Sequence, residues 1–150
     1  RDPFAMVPFC GYNMADYWTH WLEMGKQLGD KAPRIFQVNW FRKAPDGHWL
    51  WPGFGENSRA IEWALRRVNG EIGATDAISG RIPAPGDLNV EGLDISEEDL
   101  AALFAYDTGS WGREAALTEE YFNQFGDKTP EELNTQLWYL RERIAKAAQA

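Results

Sequence analysis

The chain has 150 residues, 15 Lys and Arg against 23 Asp and Glu for a net charge of −8, and is 44% hydrophobic and 14% aromatic, enough for the core of one domain. No run approaches the roughly 18 apolar residues of a membrane helix, and the acidic excess argues against nucleic acid as a partner. Cys10 is the only cysteine, which excludes internal disulfides and a cysteine-based zinc site; His20 and His48, the only histidines, cannot make a three-histidine metal site. A soluble, cytoplasmic chain is expected.

Arg1 opens the sequence without an initiator Met, signal region or transit pattern. Asp2-Pro3-Phe4-Ala5-Met6 is already apolar and turn-rich, so the chain reads as a piece of a longer polypeptide entered midway. Asn13 is positioned to cap a helix to about Lys26, with Tyr17, Trp21 and Met24 at helical spacing and Gly25, Gly29 and Pro33 as breakers. Residues 35–41, Ile-Phe-Gln-Val-Asn-Trp-Phe, alternate and are β-rich, which predicts a strand. Pro45-Asp46-Gly47 predicts a turn, His48-Trp49-Leu50-Trp51 a short returning segment, and Pro52-Gly53-Phe54-Gly55 a tight loop. Asn57 or Ser58 then caps a helix with Ile61, Leu65 and Val68 on one face, stopped by Gly70.

Residues 71–95 are punctuated by Gly and Pro and read as loop with one short hairpin. The remainder reads as an acidic helical tail. Ser96-Glu97-Glu98-Asp99 resembles a capping box with Asp in the Glu position; Thr129 and Pro130 are placed as N-cap and first helical residue before the stripe Leu133, Leu137, Leu140 and Ile144. Charge follows the same division. Residues 1–70 hold nine Lys and Arg against seven Asp and Glu, residues 71–150 six against sixteen, and 13 of the 21 aromatics precede residue 64. The expected organisation is a core with a site over 1–70, a loop over 71–95 and a solvated tail over 96–150.

Chemistry concentrates at residues 49–59. Gly53-Phe54-Gly55 begins like a dinucleotide fingerprint, but Ser58 stands at its sixth position, so a Rossmann reading has little support. There is no Gly-Lys-Ser/Thr phosphate loop. Glycines let a ligand approach the backbone, a helix start presents N–H donors, and Phe41, Trp49, Trp51 and Phe54 supply flat faces. That combination suits a purine base, although composition alone favours the same aromatics as core. Glu56 would repel a phosphate at this spot, which favours a base over a phosphate. Cys10 reads as a packed thiol, His20 as a packed residue and His48 as a solvated one. Arg42-Lys43 and Arg66-Arg67 are short surface pairs able to meet phosphate, and Glu119-Glu120 and Glu131-Glu132 read as solvated faces. No complete catalytic constellation is present.

The strings Arg1 to Met6, Pro8-Phe9-Cys10-Gly11-Tyr12-Asn13, His20-Trp21-Leu22, Ile35 to Lys43 and Leu50 to Arg59 closely resemble the C-terminal region of GTP-dependent phosphoenolpyruvate carboxykinases. The likeness is dense and collinear to about residue 70, resumes at Ile82-Pro83-Ala84-Pro85-Gly86 and Gly92-Leu93, and loosens in the tail. It implies an enzyme that interconverts oxaloacetate and phosphoenolpyruvate with GTP or GDP, using manganese and magnesium, in gluconeogenesis. By position, Phe41 and Phe54 would sandwich the guanine, Trp49 would stand where many animal members have Phe, and Asn57, next to Gly55 and Glu56, would contact the polar edge. Guanine offers an O6 acceptor where adenine has an amino donor. Backbone donors at residues 55–58 would therefore favour guanine, whereas the Asn57 amide can flip to suit either base.

The resemblance also implies what lies elsewhere. The family's phosphate loop, reactive cysteine, metal ligands and carboxylate-binding arginines precede the matched part, so no catalytic residue and no metal ligand falls in this chain, which alone should be inactive. The expected fold is an α+β fragment, short strands then several helices, of a larger mixed α/β C-terminal domain. Its partners would be GTP or GDP, the substrates of the full-length enzyme and the remainder of the same polypeptide, with no nucleic acid or membrane. Two other readings stand beside this one: a non-catalytic helical interaction module with a structural aromatic core, and a guanine-nucleotide binder without chemistry.

Overall fold

In the computed structural model, which describes residues 5–149, Asn13 starts the first helix as its sequence suggests. Its Oδ1 accepts from the Ala15 amide at 2.9 Å, while its Nδ2 donates to the Phe125 carbonyl at 3.1 Å. Helix α1, Met14–Leu28, runs through Gly25 and ends against Gly29, whose φ is +51°. An interior glycine costs a helix only about 1 kcal/mol, so Gly25 does not break it as expected.

Two segments far apart in sequence, 5–33 and 107–149, form one compact unit. Helix α4, Thr108–Asn123, is capped by Asp107, which accepts from the Gly109 and Ser110 amides at 3.0 and 3.1 Å. Helix α5, Glu131–Ala147, packs along α4, with Leu137 buried and Leu133, Leu140 and Ile144 half-buried. Thr129 does not cap α5. Pro130 takes the N-cap position, and the Thr129 hydroxyl donates to the Phe122 carbonyl at 2.9 Å. Trp18 of α1 lies against Tyr121, Phe122 and Phe125, ring centroids 5.9, 5.8 and 4.6 Å away. The expected solvated tail thus contributes core, and only its outward faces are solvated. There Glu119 meets Arg141 in a two-pronged pair at 2.9 and 3.1 Å, and Glu132 meets Lys26 at 2.6 Å.

Residues 34–106 form the second unit. The strand expected over residues 35–41 does not form, and Ile35 is 92% exposed. A strand is held by a ladder partner, and the short strands of this unit, β1 (Thr75–Ala77) and β2 (Gly80–Ile82), pair only with each other, Thr75 opposite Ile82. The turn at 45–47 does form: the Gly47 amide donates to the Ala44 carbonyl at 2.9 Å, the Ala44 amide to the His48 carbonyl at 2.9 Å, and Lys43 and Trp49 make an isolated antiparallel bridge. Helix α2, Asn57–Val68, follows a 3-10 turn at Phe54–Glu56 without a side-chain cap. Neither Asn57 nor Ser58 caps it, because the turn already winds the chain into helical geometry. It ends in a Schellman arrangement, Gly70 N–H to the Arg67 carbonyl at 3.3 Å and Glu71 N–H to the Arg66 carbonyl at 2.9 Å, with Gly70 at φ +75°. The face that turns inward carries Trp63, which meets Phe36 edge-on at 6.0 Å; the apolar Ile61, Leu65 and Val68 are exposed. Helix α3, Glu97–Phe104, begins at Ser96, whose Oγ accepts from the Asp99 amide at 3.0 Å.

The described residues are therefore α+β, with one two-stranded antiparallel sheet and five α-helices. The order differs from strands then helices, since α1 and α2 precede the sheet, and the sheet carries none of the expected site residues. No helix among them is long and apolar enough to cross a membrane.

Candidate nucleotide-binding site

The returning turn places Phe41 beside Trp49, ring centroids 5.9 Å apart at an interplanar angle of 66°, and both are exposed, 73% and 52%. Lys43 lies over the Trp49 ring at 4.1 Å, a cation–π contact that holds the indole from one side. The chain then buries Leu50 and Trp51 (Trp51 is 6% exposed) and turns outward at Gly53, φ +77°. Phe54 follows with φ +48°, a left-handed conformation rare for an aromatic, and is 99% exposed. It touches no other ring among the described residues, so the structure brings Phe41 and Trp49 together and leaves Phe54 separate. A Cβ built on Gly53 or Gly55 would meet nothing within 4 Å, which leaves this backbone open to a ligand.

Not all the backbone donors expected at residues 55–58 are available. The Glu56 amide donates to the Gly53 carbonyl at 3.1 Å, and the Asn57 amide is shared between the Phe54 and Gly55 carbonyls. Ser58 turns its hydroxyl back to the Gly55 carbonyl at 2.8 Å. The Glu56 carboxylate meets the Arg59 guanidinium at 2.5 Å, and Arg59 also donates to the Asn89 carbonyl at 3.0 Å. That pairing offsets the repulsion of phosphate expected from Glu56. Beside it lies an open cleft of about 650 Å³ lined by Gly55, Glu56, Ser58, Arg59, Glu62 and Asn89, together with Glu91.

Three residues have roles that sequence reasoning missed. The buried indole of Trp51 donates through Nε1 to Asn57 Oδ1 at 3.0 Å; the signal was a Trp needing an acceptor six residues before an Asn. Arg42, expected to be a surface residue able to meet phosphate, instead donates to the Leu103 and Ala105 carbonyls at 2.7 and 2.6 Å, closing the C-terminus of α3. His48, expected to be merely solvated, bridges two carboxylates: Nδ1 lies 2.6 Å from Asp46 Oδ1 and Nε2 3.1 Å from Asp99 Oδ1. Hydrogen bonds to Asp46 and then Asp99 raise its pKa above the ordinary histidine value. The hairpin bearing Phe41 and Trp49 is thus tied to both ends of α3.

Over residues 1–143 the sequence matches the phosphoenolpyruvate carboxykinase C-terminal P-loop domain family. The chain belongs to that family. It is 47% identical to the phosphoenolpyruvate carboxykinase (GTP) of Renibacterium salmoninarum over 146 residues, 96% of this chain and 24% of that protein. To its counterpart from Corynebacterium efficiens it is 44% identical over 150 residues, 100% of this chain and 24% of the relative. To that of Treponema pallidum it is 43% identical, with 96% and 24% covered. The chain thus spans about a quarter of the length of the curated relatives it matches. For a carboxykinase domain it has a conspicuous sequence feature: the Gly-Lys-Ser/Thr of a phosphate loop is not in it. Among the described residues no group of three or more His, Cys, Asp and Glu is arranged to hold a metal ion. The Rossmann reading of Gly53-Phe54-Gly55 falls as well, because no strand leads into that loop.

Proposed function

We propose that this chain carries the guanine-base site of a GTP-dependent phosphoenolpyruvate carboxykinase, a cytoplasmic enzyme that interconverts oxaloacetate and phosphoenolpyruvate. Carbon dioxide would be released or taken up with phosphoryl transfer between the nucleotide and the three-carbon acid. The observation that carries the reading is the exposure of Phe41 and Trp49 as a pair and of Phe54 between two glycines, while Trp51 and Trp63 of the same unit are buried. Aromatics serving only as core would sit as the latter do; flat faces left open suit a base, which gains roughly 1–3 kcal/mol from each stacking contact. Family membership favours guanine, and the names of the relatives carry GTP. Phosphoryl transfer itself needs metal ions and cations around the phosphate; on this reading residues outside this chain supply them, and the chain alone is inactive.

The test is a tryptophan-fluorescence titration of the chain with GDP, with ADP as control, since Trp49, Trp51 and Trp40 report on the site. Saturable quenching by GDP, weaker with ADP and abolished by Phe54→Ala, is the expected result. Equal responses to the two nucleotides, or quenching that survives Phe54→Ala, would overturn the assignment of these residues.

A further inference from the structure

We propose that Trp51 sets the base selectivity of this slot by fixing which way the Asn57 amide points, an inference that rests on the guanine-site reading above. An asparagine amide carries an acceptor on one side and a donor on the other, and a free one can turn either toward a ligand. Asn57 is not free. The Trp51 indole N–H, which can only donate, lies 3.0 Å from its Oδ1. If Oδ1 and Nδ2 exchanged places, two N–H donors would oppose each other at that distance, and a buried indole N–H would lose its acceptor. Trp51 is itself held: it is 6% exposed and follows the equally buried Leu50, whose amide donates to the Arg42 carbonyl at 3.0 Å.

The outward atom is therefore Nδ2, and it donates to no protein acceptor among the described residues. Asn57 is half-buried and directly follows the Phe54–Glu56 turn. A donor fixed there matches guanine O6 and opposes the amino group of adenine. Trp51 is a positioning residue in this scheme. It touches no base, yet it converts an ambivalent amide into a donor.

The experiment is calorimetric titration of the full chain and four variants with GDP and with ADP. Trp51→Phe keeps an apolar ring but removes the N–H donor, together with part of the indole's volume, so the amide can turn for adenine; the GDP-to-ADP affinity ratio is expected to fall roughly tenfold, the worth of about one hydrogen bond. Adding Trp51→Phe to Asn57→Ala should leave that variant's ratio unmoved, which a general packing effect would not predict. Asn57→Asp keeps an oxygen on Trp51 but presents an acceptor outward, and should tilt the ratio toward ADP. This variant decides the matter if Trp51→Phe fails to fold. A ratio unchanged in Trp51→Phe, or an Asn57→Asp variant that still prefers GDP, overturns the role of Trp51. An unaltered chain that binds GDP no better than ADP overturns the guanine-site reading itself and this inference with it, so the two failures are told apart by the first titration.

Discussion

Removing the Arg42 guanidinium should loosen α3 and the hairpin together. Its two nitrogens reach the Leu103 and Ala105 carbonyls at 2.7 and 2.6 Å, the first bond half-buried and the second exposed. A hydrogen bond to a charged group contributes about 1.5–3 kcal/mol net, and a cation at a helix C-terminus about 0.3–1 kcal/mol. With the exposed bond discounted for solvent, Arg42→Ala should cost about 2–3 kcal/mol. Arg42→Lys keeps the charge, but an ammonium has no rigid fork to span two carbonyls, so it should recover about 1 kcal/mol of that loss. Urea unfolding followed by circular dichroism measures both. With a slope of about 1–3 kcal/mol per molar for a chain this small, the Ala variant's midpoint should fall by about 0.7–3 M. A midpoint within error of the unaltered chain, or a Lys variant no better than Ala, would refute the argument that the fork clamps α3.

Two further outcomes are expected. Asn13→Ala removes both the cap to Ala15 and the tie to the Phe125 carbonyl, and should cost about 1–2 kcal/mol; Asn13→Asp, able to cap but not to donate, should restore only part, and full restoration in a thermal melt would show that the tie is idle. The His48 bridge should make stability pH-dependent on both sides. A histidine whose folded pKa is raised stabilises fully below the ordinary histidine value and loses that contribution as pH rises through the raised one. Asp46, held low chiefly by the His48 amide and then its ring, acts in the opposite sense, losing its contribution as pH falls through the lowered value. The melting temperature should therefore peak between the ordinary aspartate and histidine ranges, and His48→Gln should flatten its decline above neutrality; an unaltered decline would place the titrating group elsewhere.

What was legible in the sequence was whatever local chemistry decides. Asn13 and Ser96 cap because a short polar side chain before a helical run has amides within reach, and Pro45-Asp46-Gly47 turns because its φ preferences leave little choice. The stripe ending at Ile144 faces inward because helical spacing puts its members on one side. Failures came where the answer depended on a partner far along the chain. Residues 35–41 have strand composition but no neighbouring strand to bond. Tyr121, Phe122 and Phe125 sit in an acidic stretch, and nothing local says that Trp18 waits for them more than a hundred residues earlier. Arg42 looked like a surface charge because a basic pair announces charge, whereas its acceptors, two carbonyls at a helix end, leave no mark in composition. For the site, the sequence named the aromatic faces and Asn57; the orientation of Asn57 required the indole of Trp51 to be seen in place.

Phe54 ties these strands of the argument to function. A left-handed backbone costs a residue with a Cβ roughly 1–2 kcal/mol, and the flanking Gly53 and Gly55 show that the local chain has residues suited to that conformation on either side. Yet the strained position holds a phenylalanine that is 99% exposed and gains no packing within the described chain to offset the strain. Backbone strain of this kind gathers at binding sites, where it presents a group in a posture that folding alone would not select. Gly53 and the 3-10 turn fix the posture, Arg42 and His48 hold the Phe41 and Trp49 hairpin to α3, and Trp51 orients the amide that follows. Each of these devices stabilises a geometry whose apolar faces stay open to solvent. Such faces are a liability in a chain with no ligand and an advantage in one that stacks a base, which is why the exposure itself, more than any single contact, supports the guanine-site reading.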